Sequence, residues 1–121
     1  VKRFVEKPWG GEEIFAVTDR YVGKILTVRA GQALSLQYHV VKDETMRVLE
    51  GEGELHVGRE PGSGELAVEP MREGTVHHIR PGVIHRLVAL TDLRLVEVST
   101  PELGDVVRLS DRYGRQGTSA P

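Results

Sequence analysis

The sequence predicts an all-β domain, a sandwich or barrel of short antiparallel strands. Three observations carry that prediction. Apolar residues alternate with polar ones over short stretches instead of recurring at helical spacing. Turn residues punctuate those stretches at regular intervals, with fourteen glycines and six prolines in 121 residues. No long amphipathic segment interrupts the series, so helices have no place to form a layer.

Nine strands are expected in order: Glu12–Val17, Tyr21–Val28, Ala33–His39, Glu44–Glu50, Gly53–Val57, Gly64–Val68, Thr75–Ile79, His85–Leu90 and Leu93–Ser99. Between them stand Asp19, Ala30-Gly31, Glu50-Gly51, Arg59–Gly64, Gly74, Arg80-Pro81-Gly82 and Thr91-Asp92 as turn signals. The run Glu60-Pro61-Gly62-Ser63-Gly64 reads as a hairpin tip. A short helical turn is expected near Pro101–Asp105, and the tail 116–121 is expected to be flexible because nothing in it can pack. No internal repeat is present, and residues 1–121 read as a single domain.

Composition narrows the function classes. Sixteen Lys and Arg against eighteen Asp and Glu give a net charge of −2, without the basic excess of a nucleic-acid or membrane-surface binder. The absence of cysteine removes disulfides, thiolate metal sites and cysteine nucleophiles together. No apolar run approaches the roughly 20 residues of a membrane span, and the first residues carry no signal-peptide core. The expectation is a cytoplasmic protein that binds neither nucleic acid nor membrane.

Two of the five histidines stand out by spacing. Alternation along Ala33–His39 sends Ala33, Ser35, Gln37 and His39 to one face and Leu34, Leu36 and Tyr38 to the other. Gln37 and His39 therefore project side by side. Glu44 opens the next strand, whose antiparallel return brings its carboxylate back toward them. The Arg80-Pro81-Gly82 turn then delivers His85 onto a later strand.

The segments Gly31–Gly51 and Gly74–Ala89 resemble the paired motifs of the cupin superfamily. Gly31, Gln37, His39, Glu44 and Gly51 match the first motif; Gly74, Pro81, Gly82 and His85 match the second. Gln37 stands where most cupins carry histidine, and Ala89 where many carry asparagine. The run Leu34-Ser35-Leu36-Gln37-Tyr38-His39 is similar to the glutamine-x-histidine signature of mannose-6-phosphate isomerases. Lys7-Pro8-Trp9-Gly10, Pro81–Leu87 and Val106–Arg115 extend the likeness to the C-terminal cupin domain of the bifunctional (type II) isomerase–guanylyltransferases. The resemblance covers nearly the whole chain, which reads as a standalone member of that group.

The resemblance implies a cupin jelly roll, a double-stranded β-helix barrel, with one divalent metal held by Gln37, His39, Glu44 and His85. Two imidazoles, a carboxylate and an amide oxygen form a borderline-hard donor set that leaves positions for substrate. Zn²⁺ suits it first, with Mn²⁺, Fe²⁺, Co²⁺ or Ni²⁺ as the others. The implied activity is a sugar-phosphate aldose–ketose isomerase, in which the metal polarises the oxygens of an enediolate and a base moves a proton. Glu97, on the face shared with Leu93 and Leu95, and His78, grouped with Val76, are the candidate bases. Lys42 and Arg86 are the candidates for phosphate or enediolate charge.

One flank departs from the family pattern. Type II enzymes carry an arginine and a second histidine around the glutamate, where this chain has Lys42 and Thr45. Kept ligands beside changed surroundings favour an alternative: a non-catalytic metal-containing cupin that binds a sugar or another small ligand. Oxygen-dependent dioxygenase chemistry is a third reading. Trp9 reads as packing for the N-terminal strand, with sugar stacking as its functional alternative. Arg108, Arg112 and Arg115 read as surface partners of Asp105 and Asp111, with contact to a phosphate as their functional alternative. Exposed strand edges suggest a homodimer.

Overall fold

A computed structural model describes residues 3–114 and 117–118. Its strands are β1 (Arg3–Lys7), β2 (Gly10–Val17), β3 (Val22–Val28), β4 (Leu36–Tyr38), β5 (Glu44–Glu50) and β6 (Gly53–Gly58). They continue as β7 (Leu66–Met71), β8 (Val76–Ile79), β9 (His85–Ala89), β10 (Leu93–Ser99), β11 (Val107–Ser110) and β12 (Gly117–Thr118). All pairings are antiparallel, in two six-stranded sheets ordered β1-β2-β3-β10-β5-β8 and β12-β11-β4-β9-β6-β7. Among the described residues there is no helix, so the all-β expectation holds.

Several details differ from it. Strands β1 and β11 were not expected. Gly117–Thr118, in the stretch expected to fray, pair with β11 as β12; residues 116 and 119–121 lie outside the described ones. The strand expected at Gly64–Val68 begins two residues later, because Ser63 and Glu65 complete the loop with a side-chain turn. It then runs through Pro70 to Met71, which an edge strand tolerates because one of its N–H rows pairs with nothing. The expected helical turn is a pair of non-helical turns, Leu103 N–H to Pro101 C=O at 2.8 Å and Asp105 N–H to Glu102 C=O at 3.4 Å. Asp105 is held there by the loop before β5, so the chain cannot wind on.

The inner faces change from apolar to polar at one level. Along β10, Leu93 and Leu95 give way to Glu97; along β3, Val28 and Leu26 give way to Lys24; along β5, Val48 and Met46 give way to Glu44; along β9, Ala89 and Leu87 give way to His85. Register keeps these switches aligned, with Leu95 opposite Leu26 and Glu97 opposite Lys24. One half of the interior is therefore an apolar core, where burying each such side chain contributes about 1.5–3 kcal/mol. The other half is a polar chamber.

Candidate functional site

Sheet pairing assembles the chamber. On one wall Gln37 lies opposite both His85 and Arg108, so strands β9, β4 and β11 present the three side chains on one inner row. His39 follows at the end of β4. On the facing wall stand Glu44, Glu97, Lys24 and Glu12, and Lys42 reaches in from the loop between β4 and β5. All nine of these side chains are buried and line one cavity of about 60 Å³, walled on its apolar side by Trp9, Leu34 and Leu103. That volume holds a few waters or one end of a small molecule.

His39, Glu44 and His85 each aim a ligand atom at a common point, the three atoms lying within 4.8 Å of one another. The backbone sets their tautomers. His39 Nδ1 is 2.6 Å from the carbonyl oxygen of Asp105, and His85 Nδ1 is 2.9 Å from that of Val83. A carbonyl only accepts, so each Nδ1 carries the proton and each Nε2 is left with a lone pair. Burial lowers the His85 pKa, which keeps that ring neutral. His39 Nε2 sits 3.1 Å from Glu44 Oε2, and Oε2 is buried without a hydrogen-bond partner. Lone pair facing lone pair in a dry place is costly unless a cation lies between. The donor set thus fits a divalent metal, with the buried amide of Gln37 alongside.

The same wall is an ion-pair ladder. Lys24 Nζ is 3.2 Å from Glu12, and Lys42 Nζ is 3.1 Å from Glu97 and 3.6 Å from Glu44. Burial pushes the Glu44 carboxyl up, but the charge of Lys42 beside it outweighs burial and holds it well below its usual range. Burial would lower Lys42; Glu97 and Glu44 raise it instead, so it stays charged. Burial and then the charge of Glu44 push Glu97 upward, against the pull of Lys42 and Lys24.

Asp105 holds the loop that carries Lys42. Its carboxylate accepts hydrogen bonds from the backbone N–H groups of Val40, Val41 and Lys42, while its carbonyl holds His39. Slight burial acts to raise its pKa, but the three N–H groups lower it. Asp105→Ala is expected to lower the stability of the metal-free protein by about 1–2 kcal/mol in urea unfolding. Because the folded-state pKa is depressed, that difference is present above the ordinary carboxylate value of about 4 and fades as pH falls below it. Equal stability of the two proteins at neutral pH would contradict this role.

Of the residues singled out from the sequence, Gln37, His39, Glu44, His85, Lys42 and Glu97 come together. His78 and Arg86 do not. His78 faces outward from β8 and bonds Asp43 at 2.7 Å, and Arg86 lies on the outer side of β9 near Ser110. His77 is buried but bonds Glu69 and Thr75, and His56 bonds Glu54, all away from the cavity. Arg108 corrects an expectation: it is buried in the cavity wall, because β11 turns it inward beside Gln37. Arg112 donates to the carbonyl of Gly31 instead of pairing with an aspartate, and Arg115 lies outside the described residues. Trp9 packs in the core, as expected, and also borders the cavity. Lys24 and Glu12 were missed, although alternation groups Lys24 with Val22, Leu26 and Val28, and Glu12 with Ile14.

In comparisons with known proteins, residues 1–111 match the family described as mannose-6-phosphate isomerase C-terminal. The chain belongs to that family. Among its relatives, the xanthan biosynthesis protein XanB of Xanthomonas campestris pv. campestris is 36% identical over 118 residues, covering 93% of this chain and 24% of XanB. A mannose-1-phosphate guanylyltransferase of Escherichia coli K12 is 35% identical over 122 residues, covering 95% of this chain and 24% of that protein. This chain therefore spans about a quarter of the length of either relative. An RmlC-like cupin from Desulfovibrio desulfuricans superimposes with a TM-score of 0.62 at 29% identity, over 82% of this chain and 83% of the other. The fold is the cupin double-stranded β-helix. Among the described residues no helix is long and apolar enough to cross a membrane.

Proposed function

We propose that this chain is a metal-dependent aldose–ketose isomerase for a sugar phosphate of the mannose 6-phosphate type. The observation that carries the reading is Glu97: a buried carboxyl, held by Lys42, on the same chamber wall as Glu44 and its two histidines. Gln37, His39, Glu44 and His85 would hold the metal, Zn²⁺ first. When bound, it polarises the neighbouring carbonyl and hydroxyl oxygens of an open-chain sugar.

Glu97 takes the proton from the carbon beside the carbonyl and returns it to the former carbonyl carbon. The hydroxyl proton passes between the two oxygens, so nothing is gained or lost overall. A carboxyl raised by burial is the stronger base for this work. Lys42 orients Glu97 and offsets negative charge as it builds on the sugar oxygens. The cavity admits the reacting end of the sugar, while Lys7 and Arg108 on its lining supply positive charge for the phosphate. The names of the relatives, a xanthan biosynthesis protein and a mannose-1-phosphate guanylyltransferase, make a mannose phosphate the first substrate to try. A sugar-phosphate substrate also suits the cytoplasmic location expected from the sequence.

A second reading, a metal-containing module that binds a sugar without converting it, is favoured by the Lys42 ammonium occupying the carboxylate of Glu97. One experiment separates the two. Protein loaded in turn with Zn²⁺, Mn²⁺, Fe²⁺, Co²⁺ and Ni²⁺ is incubated with mannose 6-phosphate in D₂O. Loss of the C2 proton is followed by NMR for Zn²⁺ and by mass of the recovered sugar phosphate for the other ions. The isomerase reading expects exchange that disappears with chelator and in His85→Ala. Saturable binding without exchange, in protein shown to hold metal, would replace it with the second reading.

A further inference from the structure

A second recess opens away from the chamber, between the two sheets on their β7 and β8 side. Those strands are the outer edges of their sheets, so no neighbouring strand closes the gap. His77 bridges it once, its Nδ1–H donating to Glu69 at 2.8 Å. Glu69 also lines a cleft of about 360 Å³, against about 60 Å³ for the chamber. No residue lines both. Val57, directly opposite His85 across β6 and β9, walls the cleft on the chamber side.

The chemistry of the cleft is two-sided. Val57, Ala67 and Val83 make an apolar floor. Arg59, which follows β6, and Arg80, which follows β8, line it as exposed residues. Arg80 Nη2 donates to the carbonyl oxygen of Arg59 at 3.3 Å, which holds the two residues side by side. Among the described residues no carboxylate pairs with either guanidinium. The other charged groups of the lining are already engaged, Glu69 by His77 and His78 by Asp43 at 2.7 Å. Two guanidiniums without a counter-charge, beside an apolar floor, suit a phosphate group carried on a small ring.

We propose that this cleft is a binding site for a small phosphate ester, with Arg59 and Arg80 on the phosphate and the ring over the apolar floor. Its volume lies within the roughly 300–1,000 Å³ of small-molecule sites. A hollow of about 190 Å³, which shares Arg59 and Ala67, extends it along the β6–β7 loop, where Ser63 and Glu65 offer partners for hydroxyl groups. The arginines sit on anchored backbone. Val83 N–H bonds the Arg80 carbonyl at 3.2 Å, Gly62 N–H bonds the Gly82 carbonyl at 3.0 Å, and Gly82 N–H bonds the His39 carbonyl at 2.6 Å. The loop after Arg59 and the turn after Arg80 are thereby tied to each other, and little ordering is left to be done on binding. The site is separate from Lys7 and Arg108 of the chamber, so it stands or falls independently of the proposed isomerase chemistry.

The test is titration of the full chain with mannose 6-phosphate, AMP and inorganic phosphate, followed by calorimetry and amide NMR. At least one ester is expected to bind saturably, with a submillimolar dissociation constant, and to shift the amides of Gly58, Arg59, Ala67 and Val83. The tighter of the two tells whether the ring is a sugar or a nucleoside, and inorganic phosphate is expected to bind more weakly than that ester. R59Q and R80Q are each expected to weaken binding about 10- to 100-fold. R20Q, which removes an exposed arginine outside the cleft, is expected to leave it unchanged. Melting curves matching the natural protein confirm that the variants are folded. The proposal is overturned if no ester saturates at millimolar concentration, or if the shifts are confined to chamber residues such as Gln37 and Arg108. Equal weakening by R20Q, the mark of a diffuse attraction to positive charge, overturns it too, as does inorganic phosphate that binds as tightly as both esters.

Discussion

Glu97→Gln is expected to bind metal as the natural chain does and to lose deuterium exchange at C2 of mannose 6-phosphate by about 10²–10⁴-fold. Glutamine has nearly the volume of glutamate, so the chamber wall keeps its packing. Its amide oxygen can still accept the hydrogen bond that Lys42 now makes to Glu97 at 3.1 Å. It cannot take up a proton, and that is the single property removed. The proposed ligands Gln37, His39, Glu44 and His85 are untouched. Lys42 keeps Glu44 as its counter-charge at 3.6 Å, so no buried ammonium is stranded. Metal content by elemental analysis, sugar binding by calorimetry and exchange by NMR separate the three properties. Full exchange in a metal-loaded Glu97→Gln protein would remove Glu97 from the chemistry and leave the chamber without its base.

The chamber was partly legible in the sequence for a reason that also explains what was missed. Alternation along a strand is a local signal, and it correctly sent Gln37 with His39, and Glu97 with Leu93 and Leu95, to an inner face. The same signal was present for Lys24 beside Val22, Leu26 and Val28. A charged residue in an apolar set is readily taken for an exposed one until its partner is known, and the partner, Glu12, lies on another strand. Arg108 could not be placed by alternation, since Val106 and Val107 offer apolar neighbours on both faces. Only the pairing of β11 with β4 decides which face is inner. His77 and His78 posed the same ambiguity, resolved by the pairing of β8 with β5. Asp105 was invisible as an organising residue because its acceptors serve a loop more than sixty residues away in sequence. Fold class was legible because it needs only strand lengths and turns; the missing strand β1 has little apolar alternation to reveal it.

The two motif glycines Gly51 and Gly74 look equivalent in sequence, and their alanine variants are expected to differ sharply. Both adopt left-handed backbone, with φ of +89° and +87°. A residue with a Cβ pays about 1–2 kcal/mol for that conformation anywhere. Around Gly74 there is nothing within 4 Å of where a Cβ would stand, so Gly74→Ala is expected to cost only that much. At Gly51 the same atom would lie 2.0 Å from the carbonyl oxygen of Asp92 and 3.0 Å from its carbon and from Leu93 Cα. These are backbone atoms and cannot swing aside. Asp92 is itself tied to the Ala30 N–H, and Leu93 is a fully buried residue opposite Val28 at the start of β10. Relief would have to come from pulling β10 away from β5, at the strand that carries Glu97. Gly51→Ala is therefore expected to lose about 3–4 kcal/mol or more, read as a shift of the urea midpoint at unchanged slope. Similar small losses at both positions would mean that the turn after β5 does not approach β10 this closely. A large loss confined to Gly51 would show that the first motif ends in glycine because two strands meet there, with flexibility a secondary matter.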